Sequence, residues 1–363
     1  ATGDWPRFRG PGGLGISAAK NLPVTWEPDQ NMLWKTELPG PGSSSPIVVG
    51  ERVFVTSYSG YGIDPKQPGD SANLKRHLLC IGAGSGKILW QREVAAKLPE
   101  AAYEGFIQRH GYASSTPASD EERVFCFFGK SGVFAFDLNG EQLWHAEVGS
   151  GTHQWGGAGA SPIVYKDLVI ANASIESESL VALDRRTGKE VWRAGGIREA
   201  WDTPHLVELP GGGTELVVSV YDRVLGFDLD TGKQLWNCDV LNKHNVNPSP
   251  VAHGGVIYCL LSGPQRTSFA IRAGGRGDVT ASHVVWKLSK NANVSSPIYH
   301  DGHLYFANEQ GVAYCLNART GEIAYEERLT PRPAEFYASP VLADGKLYYV
   351  SRQGRTYVLA AKP

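Results

Sequence analysis

A short motif recurs along the chain, and its recurrence constrains the fold more than any other feature. In the stretch Leu180–Trp192, LVALDRRTGKEVW, Val181 and Leu183 alternate with small or polar residues, as a half-buried strand requires. Gly188 can supply the positive φ of a tight turn, and Trp192 ends a second short strand with an indole large enough to bury. The motif therefore predicts two short strands joined by a tight turn.

The motif has four further close copies and one longer variant. Each close copy keeps a glycine four residues before an aromatic residue; these copies are Cys80–Trp90, Ala135–Trp144, Gly226–Trp236 and Cys315–Tyr325, and the longer variant is Ile271–Trp286. A second motif, a serine or threonine followed by proline and an apolar run, precedes each copy. Its positions are Ser45–Pro46, Thr116–Pro117, Ser161–Pro162, Thr203–Pro204, Ser249–Pro250, Ser296–Pro297 and Ser339–Pro340. After a first interval of 71 residues these prolines lie 42 to 47 residues apart, which is typical of a β-propeller, and we expect seven blades.

We expect the two ends of the chain to share one blade. Residues 32–38, MLWKTEL, resemble a fourth strand with its tryptophan, whereas residues 339–360 supply three strands and no fourth. The predicted fold is an all-β, seven-bladed propeller of four-stranded antiparallel blades, closed by an N-terminal strand around 32–38 that completes the C-terminal blade. A Gly/Pro-rich arm over residues 1–31 should pack on this ring, and residues 32–363 should form a single domain.

Blade 1 carries two long insertions, over residues 58–76 and 95–112. In a four-stranded meander, the connection between the second and third strands and the exit to the next blade emerge at the same end. Both insertions should therefore enlarge one face of the ring. Long loops in a compact fold are more often functional than incidental, although a purely stabilising role is the alternative.

Composition excludes several classes of function. The net charge is −2 and no basic stripe is present, so we expect no nucleic-acid partner. No apolar run approaches the ~20 residues that span a bilayer, so we expect no membrane span. The chain starts without methionine or a leader, as a mature periplasmic or secreted protein would. Four of the five cysteines lie in apolar runs and no CxxC occurs, which favours small buried hydrophobes over disulfides or metal ligands.

The combined repeat, a Ser-Pro strand followed by the ALDxxTGKxxW type of hairpin, resembles that of pyrroloquinoline-quinone (PQQ) dehydrogenases and their non-enzymatic relatives. These relatives include the propeller lipoprotein of the outer-membrane β-barrel assembly machinery. The opening WPRFRGPGGLG and the run HGYASSTPASDEERVFCFFGKSGVFAFD resemble the exported PQQ-like propellers of planctomycete-type bacteria. The dehydrogenases have eight blades, a calcium ion and an adjacent cysteine pair at the quinone. This chain has seven predicted blades and no such pair, so neither PQQ nor calcium is the expected cofactor.

The connections that lead into the inner strands should converge on the mouth of a central channel. Two tryptophans there, at positions 155 and 201, are not explained by the repeat. With neighbouring polar residues they suit a sugar, a peptide or a flat cofactor. The candidate ligand-binding residues are His110, Tyr112, His153, Trp155, Arg198, Trp201, Asp202, Asn247 and Tyr337. The alternative is that these side chains only plug the channel. Short metal-ligand spacing is missing, so we predict no metal site and assign no catalytic residue.

These observations predict an exported, non-catalytic binding or scaffolding propeller. Its loop-rich face and channel mouth should bind an envelope protein, a glycan or a small ligand. The alternative is an enzyme with its site at the same mouth, either a PQQ-dependent alcohol or sugar dehydrogenase or a sugar-active hydrolase or lyase.

Overall fold

The computed structural model describes residues 3–153, 156–240, 243–263, 267–332 and 335–363. Seven sheets make the fold an all-β, seven-bladed β-propeller, as the repeat predicts. Helical structure in these ranges is limited to single turns: α-helices at Ile107–His110, Ser174–Ser177 and Thr280–His283, and 3₁₀ turns at Pro11–Gly13, Ser71–Asn73 and Gly129–Ser131. No helix in the described ranges has the length and apolarity to cross a bilayer.

The chain forms two compact units, and the first comprises residues 3–8 and 23–197. It contains three antiparallel sheets of four strands, blades 1 to 3. Blade 1 has strands Ile47–Val49, Arg52–Ser59, Lys75–Gly82 and Ile88–Ala95; blade 2 has Ala118–Ser119, Arg123–Phe127, Val133–Asp137 and Gln142–Ala146; blade 3 has Ile163–Tyr165, Leu168–Ala173, Ser179–Asp184 and Glu190–Gly195.

The second unit comprises residues 9–22 and 198–363 and contains blades 4 to 7. Blade 4 has strands His205–Glu208, Thr214–Ser219, Arg223–Asp228 and Gln234–Asp239, with Gly277–Asp278 as a fifth strand; blade 5 has Val251–His253, Val256–Leu261, Thr267–Arg272 and Val284–Leu288; blade 6 has Ile298–His300, His303–Ala307, Val312–Asn317 and Ile323–Arg328; blade 7 has Ile16–Ser17, Val341–Ala343, Lys346–Val350 and Thr356–Ala360.

The core of the first unit lies between successive blades. Neighbouring residues on a strand point to opposite faces of the sheet, so each blade presents one apolar face to the blade before it and one to the blade after it. On one strand of blade 2, Val124 packs with Phe54 and Leu78 of blade 1, whereas Phe125 packs with Val169 and residues of blade 3. Alternating apolar residues therefore hold the blades together. All five cysteines are buried, as small apolar side chains would be.

In several repeats the tryptophan packs on the turn glycine of the next blade. The ring of Trp90 lies against Gly140, and its Nε1 donates to the carbonyl of Leu138 at 3.1 Å. A Cβ at Gly140 would lie 2.8 Å from the indole, and its φ of 84° already favours glycine. Three equivalent pairs follow the same arrangement: Trp34 on Gly86, Trp144 on Gly188 and Trp286 on Gly321. The fixed spacing of glycine and tryptophan thus serves contacts between blades as well as the turn.

The tryptophan of blade 4, Trp236, is arranged differently. Its Nε1 donates to Oε2 of the buried Glu215 in its own blade at 2.8 Å. The longer turn of blade 5 reaches this carboxylate too, since Gly274 N and Arg276 Nη1 donate to it at 3.1 Å each. The strand Gly277–Asp278 then pairs in parallel with blade 4. The irregular copy of the repeat therefore adds a strand to the preceding blade.

The Ser/Thr-Pro motif forms a series of hydrogen bonds between inner strands. In the first unit, Ser45 N donates to Thr116 Oγ1 at 2.9 Å, and Thr116 N donates to Ser161 Oγ at 3.0 Å. The second unit repeats the pattern: the N–H groups of Thr203, Ser249 and Ser296 donate to the hydroxyls of Ser249, Ser296 and Ser339. Each hydroxyl satisfies a backbone donor of the preceding blade, which explains why a hydroxyl residue recurs before each proline.

The predicted closing strand over 32–38 is wrong. These residues form no strand in the described structure, and the N-terminal strand that joins the C-terminal blade is Ile16–Ser17, which pairs in parallel with Val341–Ala343. Trp34 and Thr36 instead donate from their side chains to the carbonyls of Ala83 and Gly86. The segment keeps the tryptophan contact of a fourth strand without its backbone pairing.

Candidate functional site

The two predicted insertions of blade 1 pack against each other. The second strand of blade 1 extends to Ser59, the third begins at Lys75, and the fourth ends at Ala95 before the first strand of blade 2 begins at Ala118. We call residues 58–76 the first excursion and residues 95–112 the second. Their contact is a cluster of four tyrosine rings: Tyr58, Tyr61, Tyr103 and Tyr112. Ring centroids lie 5.5 Å apart for Tyr58 and Tyr112 and 5.6 Å apart for Tyr61 and Tyr112. We call this the tyrosine block.

The hydroxyl groups of the tyrosine block are satisfied within it. Tyr58 donates to the carbonyl of Gly62 at 3.0 Å, and Tyr112 donates to that of Ala101 at 2.8 Å. The hydroxyl of Tyr61 accepts from Tyr103 N at 3.1 Å. Burial raises the pKa of Tyr58 and of Tyr112 well above the usual value. Tyr58 and Tyr112 are therefore neutral, and the block is internally hydrogen-bonded.

A small charged cavity borders the block. It has a volume of about 30 Å³ and is lined by Arg76, Glu100, Tyr112, Ser115, Lys130 and Glu176, among others. Arg76 Nη2 pairs with Glu100 Oε1 at 2.9 Å, and both side chains are buried. Arg76 also donates to the carbonyl of Tyr112 at 3.0 Å and to Ser131 Oγ at 3.2 Å. This buried pair joins the first excursion to the second.

Two polar groups of the cavity are unusual. Burial raises the pKa of Glu176 to about 8, and nearby Arg76 only partly offsets this effect. The buried hydroxyl of Ser115 has no hydrogen-bond partner in the described structure. A volume of about 30 Å³ holds one or two water molecules rather than a sugar or a flat cofactor. The cavity can therefore hold water against a carboxylic acid that is protonated near neutral pH.

The sequence predicted Tyr112 as a site residue but missed the charged residues of this cavity. A signal was available: each predicted insertion carries a residue of opposite charge, Arg76 and Glu100. Glu176 lies in blade 3, and nothing in its local sequence places it beside blade 1.

The predicted residues of the first unit meet at one loop. His110 Nε2 donates to the carbonyl of Gly156 at 2.9 Å, and its Nδ1 lies 2.5 Å from Ser114 Oγ. His153 Nδ1 accepts from Gly156 N at 3.1 Å. Burial lowers the pKa of His110 to about 4, so its ring is neutral at pH 7. Trp155, a predicted site residue, lies outside the described residues.

The predicted residues of the second unit come mainly from two adjoining loops. Trp201 N donates to the carbonyl of Val246 at 2.7 Å, and Arg198 accepts from Tyr221 N through its carbonyl at 3.1 Å. Asp202 is fully buried and accepts from Ser219 N at 2.9 Å, and burial raises the pKa of its carboxyl. These contacts place Trp201 beside Val246 and Asp202 beside Ser219.

The remaining two predicted residues contact other segments. Asn247 donates through Nδ2 to Ser262 Oγ at 3.2 Å and to the carbonyl of Asn293 at 3.0 Å. The guanidinium of Arg352 lies over the ring of Tyr337, 5.2 Å from its centroid. Among the residues that the structure describes, no group of three His, Cys, Asp or Glu side chains could hold a metal ion.

The sequence and the fold both resemble those of known proteins. The sequence matches the family described as outer membrane protein assembly factor BamB over residues 71–199, 176–292 and 275–362. A tetrathionate hydrolase of Acidithiobacillus ferrooxidans is 21% identical over 328 residues, which cover 82% of this chain and 61% of the hydrolase. BamB of Francisella salina is 24% identical over 185 residues, which cover 48% of this chain and 32% of that protein. The chain thus spans less than two thirds of either relative.

A solved structure, that of BamB from Moraxella catarrhalis, has the same fold. Its TM-score is 0.58 at 16% sequence identity, and the superposition covers 85% of this chain and 79% of BamB. The family match extends over most of the chain, from the third strand of blade 1 to the last strand of blade 7. The chain belongs to the PQQ-like propeller family of the outer membrane protein assembly factor BamB.

Proposed function

We propose that this chain is an exported, non-catalytic binding module that holds an envelope protein on the surface formed by its two excursions. The observation that carries the proposal is the tyrosine block, which joins both excursions into one hydrogen-bonded unit on blade 1. A surface that is already ordered loses little conformational entropy when a partner binds. The block is therefore suited to present side chains to a protein.

The two excursions carry three exposed apolar residues. Ile63 is 49% exposed, Leu98 is 47% exposed and Phe106 is 37% exposed. Single exposed apolar side chains are ordinary on any protein. Three of them on two packed excursions can supply the few anchoring contacts that dominate the energy of a protein interface.

Two further observations favour binding over catalysis. Both ring nitrogens of His110 have hydrogen-bond partners, and Asp202 is buried against a backbone N–H, so neither group is poised for proton transfer with a substrate. The family is named for an assembly factor of outer-membrane proteins. We therefore expect the partner to be a protein of the bacterial envelope, and we expect the chain to reside in the periplasm or outside the cell.

The experiment is site-specific photocrosslinking in cells. A photoreactive residue at position 106 should give an adduct with a discrete envelope protein, identified by mass spectrometry. The matched control is position 143 on the outer strand of blade 2, where Leu143 has a similar exposure of 46%. Equal adducts at both positions, or none at position 106, would contradict the proposal.

A second experiment addresses the enzymatic alternative. The protein is incubated with PQQ and calcium and assayed for dye reduction with alcohols and sugars. We expect no quinone absorbance and no dye reduction above buffer. Turnover under these conditions would overturn the non-catalytic assignment.

A further inference from the structure

A groove with a volume of about 460 Å³ lies in the first unit, away from the tyrosine block. Its walls are the turn between the first two strands of blade 2 and the equivalent turn of blade 3, and residues 6–7 of the N-terminal arm contribute a third side. The excursions, by contrast, leave the blades at the ends of the second and fourth strands. In an antiparallel sheet these two sets of connections lie at opposite ends of the strands.

Arg7 is the unusual residue of this groove. Its side chain lines the groove, and the residue is only 8% exposed. The Nε atom is enclosed without a hydrogen-bond partner, and no carboxylate forms an ion pair with Arg7 within the described residues. Burial lowers the pKa of this guanidinium from 12.5 to about 10. A buried cation without a counter-charge is costly, and structures normally provide it with a partner.

Three carboxylates line the groove: Asp120 and Asp167 already have partners, and the third, Glu121, is exposed to solvent. Asp120 Oδ2 pairs with Arg123 Nη1 at 2.8 Å and with Arg185 Nη1 at 3.4 Å. Asp120 Oδ1 accepts the N–H groups of Glu122 and Arg123. Asp167 pairs with Arg185 Nη2 at 3.3 Å. The Nε of Arg185, like that of Arg7, has no hydrogen-bond partner in the described structure. Both Nε atoms are enclosed, so the donors that Arg7 can offer to the groove are its Nη atoms.

The backbone holds Arg7 in this position. The carbonyl of Pro6 accepts from Ser119 N at 2.8 Å, and Trp5 exchanges two backbone hydrogen bonds of 2.9 Å with Val48. These bonds fix the arm to blades 1 and 2 next to the groove. The guanidinium is thus preorganised rather than free to swing into solvent.

We propose that this groove binds a small organic oxyanion, a carboxylate or a phosphate, through the guanidinium of Arg7, with Arg185 and Lys166 beside it. A guanidinium can donate two parallel N–H groups to two oxygens of a carboxylate or phosphate, and Arg7 has no ion pair that would compete for them in the described residues. The volume lies within the range of about 300–1,000 Å³ usual for small-molecule sites. An inorganic ion would fill a fraction of it, so the ligand has a body beyond its anionic group. This site is separate from the proposed protein-binding surface.

The test is calorimetric titration of the whole chain with inorganic phosphate, succinate and glucose 6-phosphate at constant ionic strength. We expect saturable one-site binding of at least one organic anion, at least tenfold tighter than inorganic phosphate. A preference for succinate or for glucose 6-phosphate distinguishes a carboxylate from a phosphate ligand. Absence of binding by all three probes would overturn the proposal.

Variants locate the site. Arg7→Met should weaken binding of the preferred anion at least tenfold, whereas Arg7→Lys should retain part of it because lysine keeps the charge and loses the two-pronged geometry. Lys166→Gln, at an exposed position, should weaken binding several-fold without affecting folding. The control Arg223→Gln removes an exposed arginine paired with Asp222 in blade 4 and should leave the affinity unchanged. Equal affinities for wild type, Arg7→Met and Lys166→Gln would overturn the assignment.

The stability of the ligand-free protein provides an independent readout. Because Arg7 has no counter-charge, Arg7→Met should unfold at a urea concentration equal to or above that of wild type, while losing the ligand-induced increase. A marked loss of stability in the ligand-free variant would show that Arg7 serves the fold and would contradict the proposal.

Discussion

Replacing Gly140 by alanine tests the packing of repeat tryptophans on the following blade. The new Cβ would lie 2.8 to 3.0 Å from three atoms of the Trp90 indole. Overpacking of this kind costs about 1–3 kcal/mol. The backbone at Gly140 has a φ of 84°, which costs an alanine about another 1–2 kcal/mol. We expect the free energy of unfolding to fall by about 2–5 kcal/mol.

The matched control separates the two contributions. Gly50 also has a positive φ, 55°, but no atom lies within 4 Å of an added Cβ. Gly50→Ala should therefore show only the backbone cost of about 1–2 kcal/mol. Both variants are compared with wild type by urea unfolding followed by circular dichroism. The reasoning is refuted if Gly140→Ala loses no more stability than Gly50→Ala.

Three further predictions follow from the described contacts. Glu176→Gln mimics the protonated acid. Because burial raises the pKa of Glu176 to about 8, the protonated side chain stabilises the folded protein fully below about pH 4.5, and this stabilisation is lost as the pH rises through 8. The variant's stability relative to wild type should rise between those pH values by up to roughly 1.4 kcal/mol per pH unit, and a pH-independent difference in urea midpoints would contradict this. Ser249→Ala removes the acceptor of Thr203 N–H and should cost about 1–3 kcal/mol, whereas Ser249→Thr should restore it; equal unfolding midpoints would contradict the role of the hydroxyl. If the predicted ligand residues bind a sugar, Trp201→Ala should abolish binding on a glycan array, and an unchanged profile would reject that hypothesis.

The repeat allowed the fold to be predicted because its residues act locally and in the same way in every blade. The turn glycines have positive φ at all five predicted positions: Gly86, Gly140, Gly188, Gly232 and Gly321. The same logic fails at the chain ends, where no neighbouring copy constrains the backbone. Trp34 keeps its contact with Gly86, yet its strand does not form, and Ile16–Ser17 pairs with the last blade instead. A strand of only two residues is too short to show an alternation of apolar and polar residues in the sequence.

The candidate sites were less accessible from sequence because they join distant segments. Arg76, Glu100 and Glu176 come from two excursions and blade 3, and their contact depends on how the excursions fold back. Arg7 occurs in a run of glycine and proline that predicts only an irregular arm. The absence of a carboxylate partner for Arg7 could not be predicted from the sequence, because blade 2 carries several acidic residues that could have paired with it. It follows only from the assembled structure.

The most direct test of the account measures the affinity of the purified chain for the envelope protein that crosslinks at position 106. Replacing Ile63, Leu98 and Phe106 together by serine should weaken binding at least 100-fold, because each anchoring contact contributes about 1–2 kcal/mol. The control replaces three equally exposed apolar residues on outer strands of the same unit, Leu89, Leu143 and Val191. Its affinity should stay within twofold of wild type. Similar losses in both triple variants, or no loss in the first, would contradict the assignment of the excursions as the binding surface.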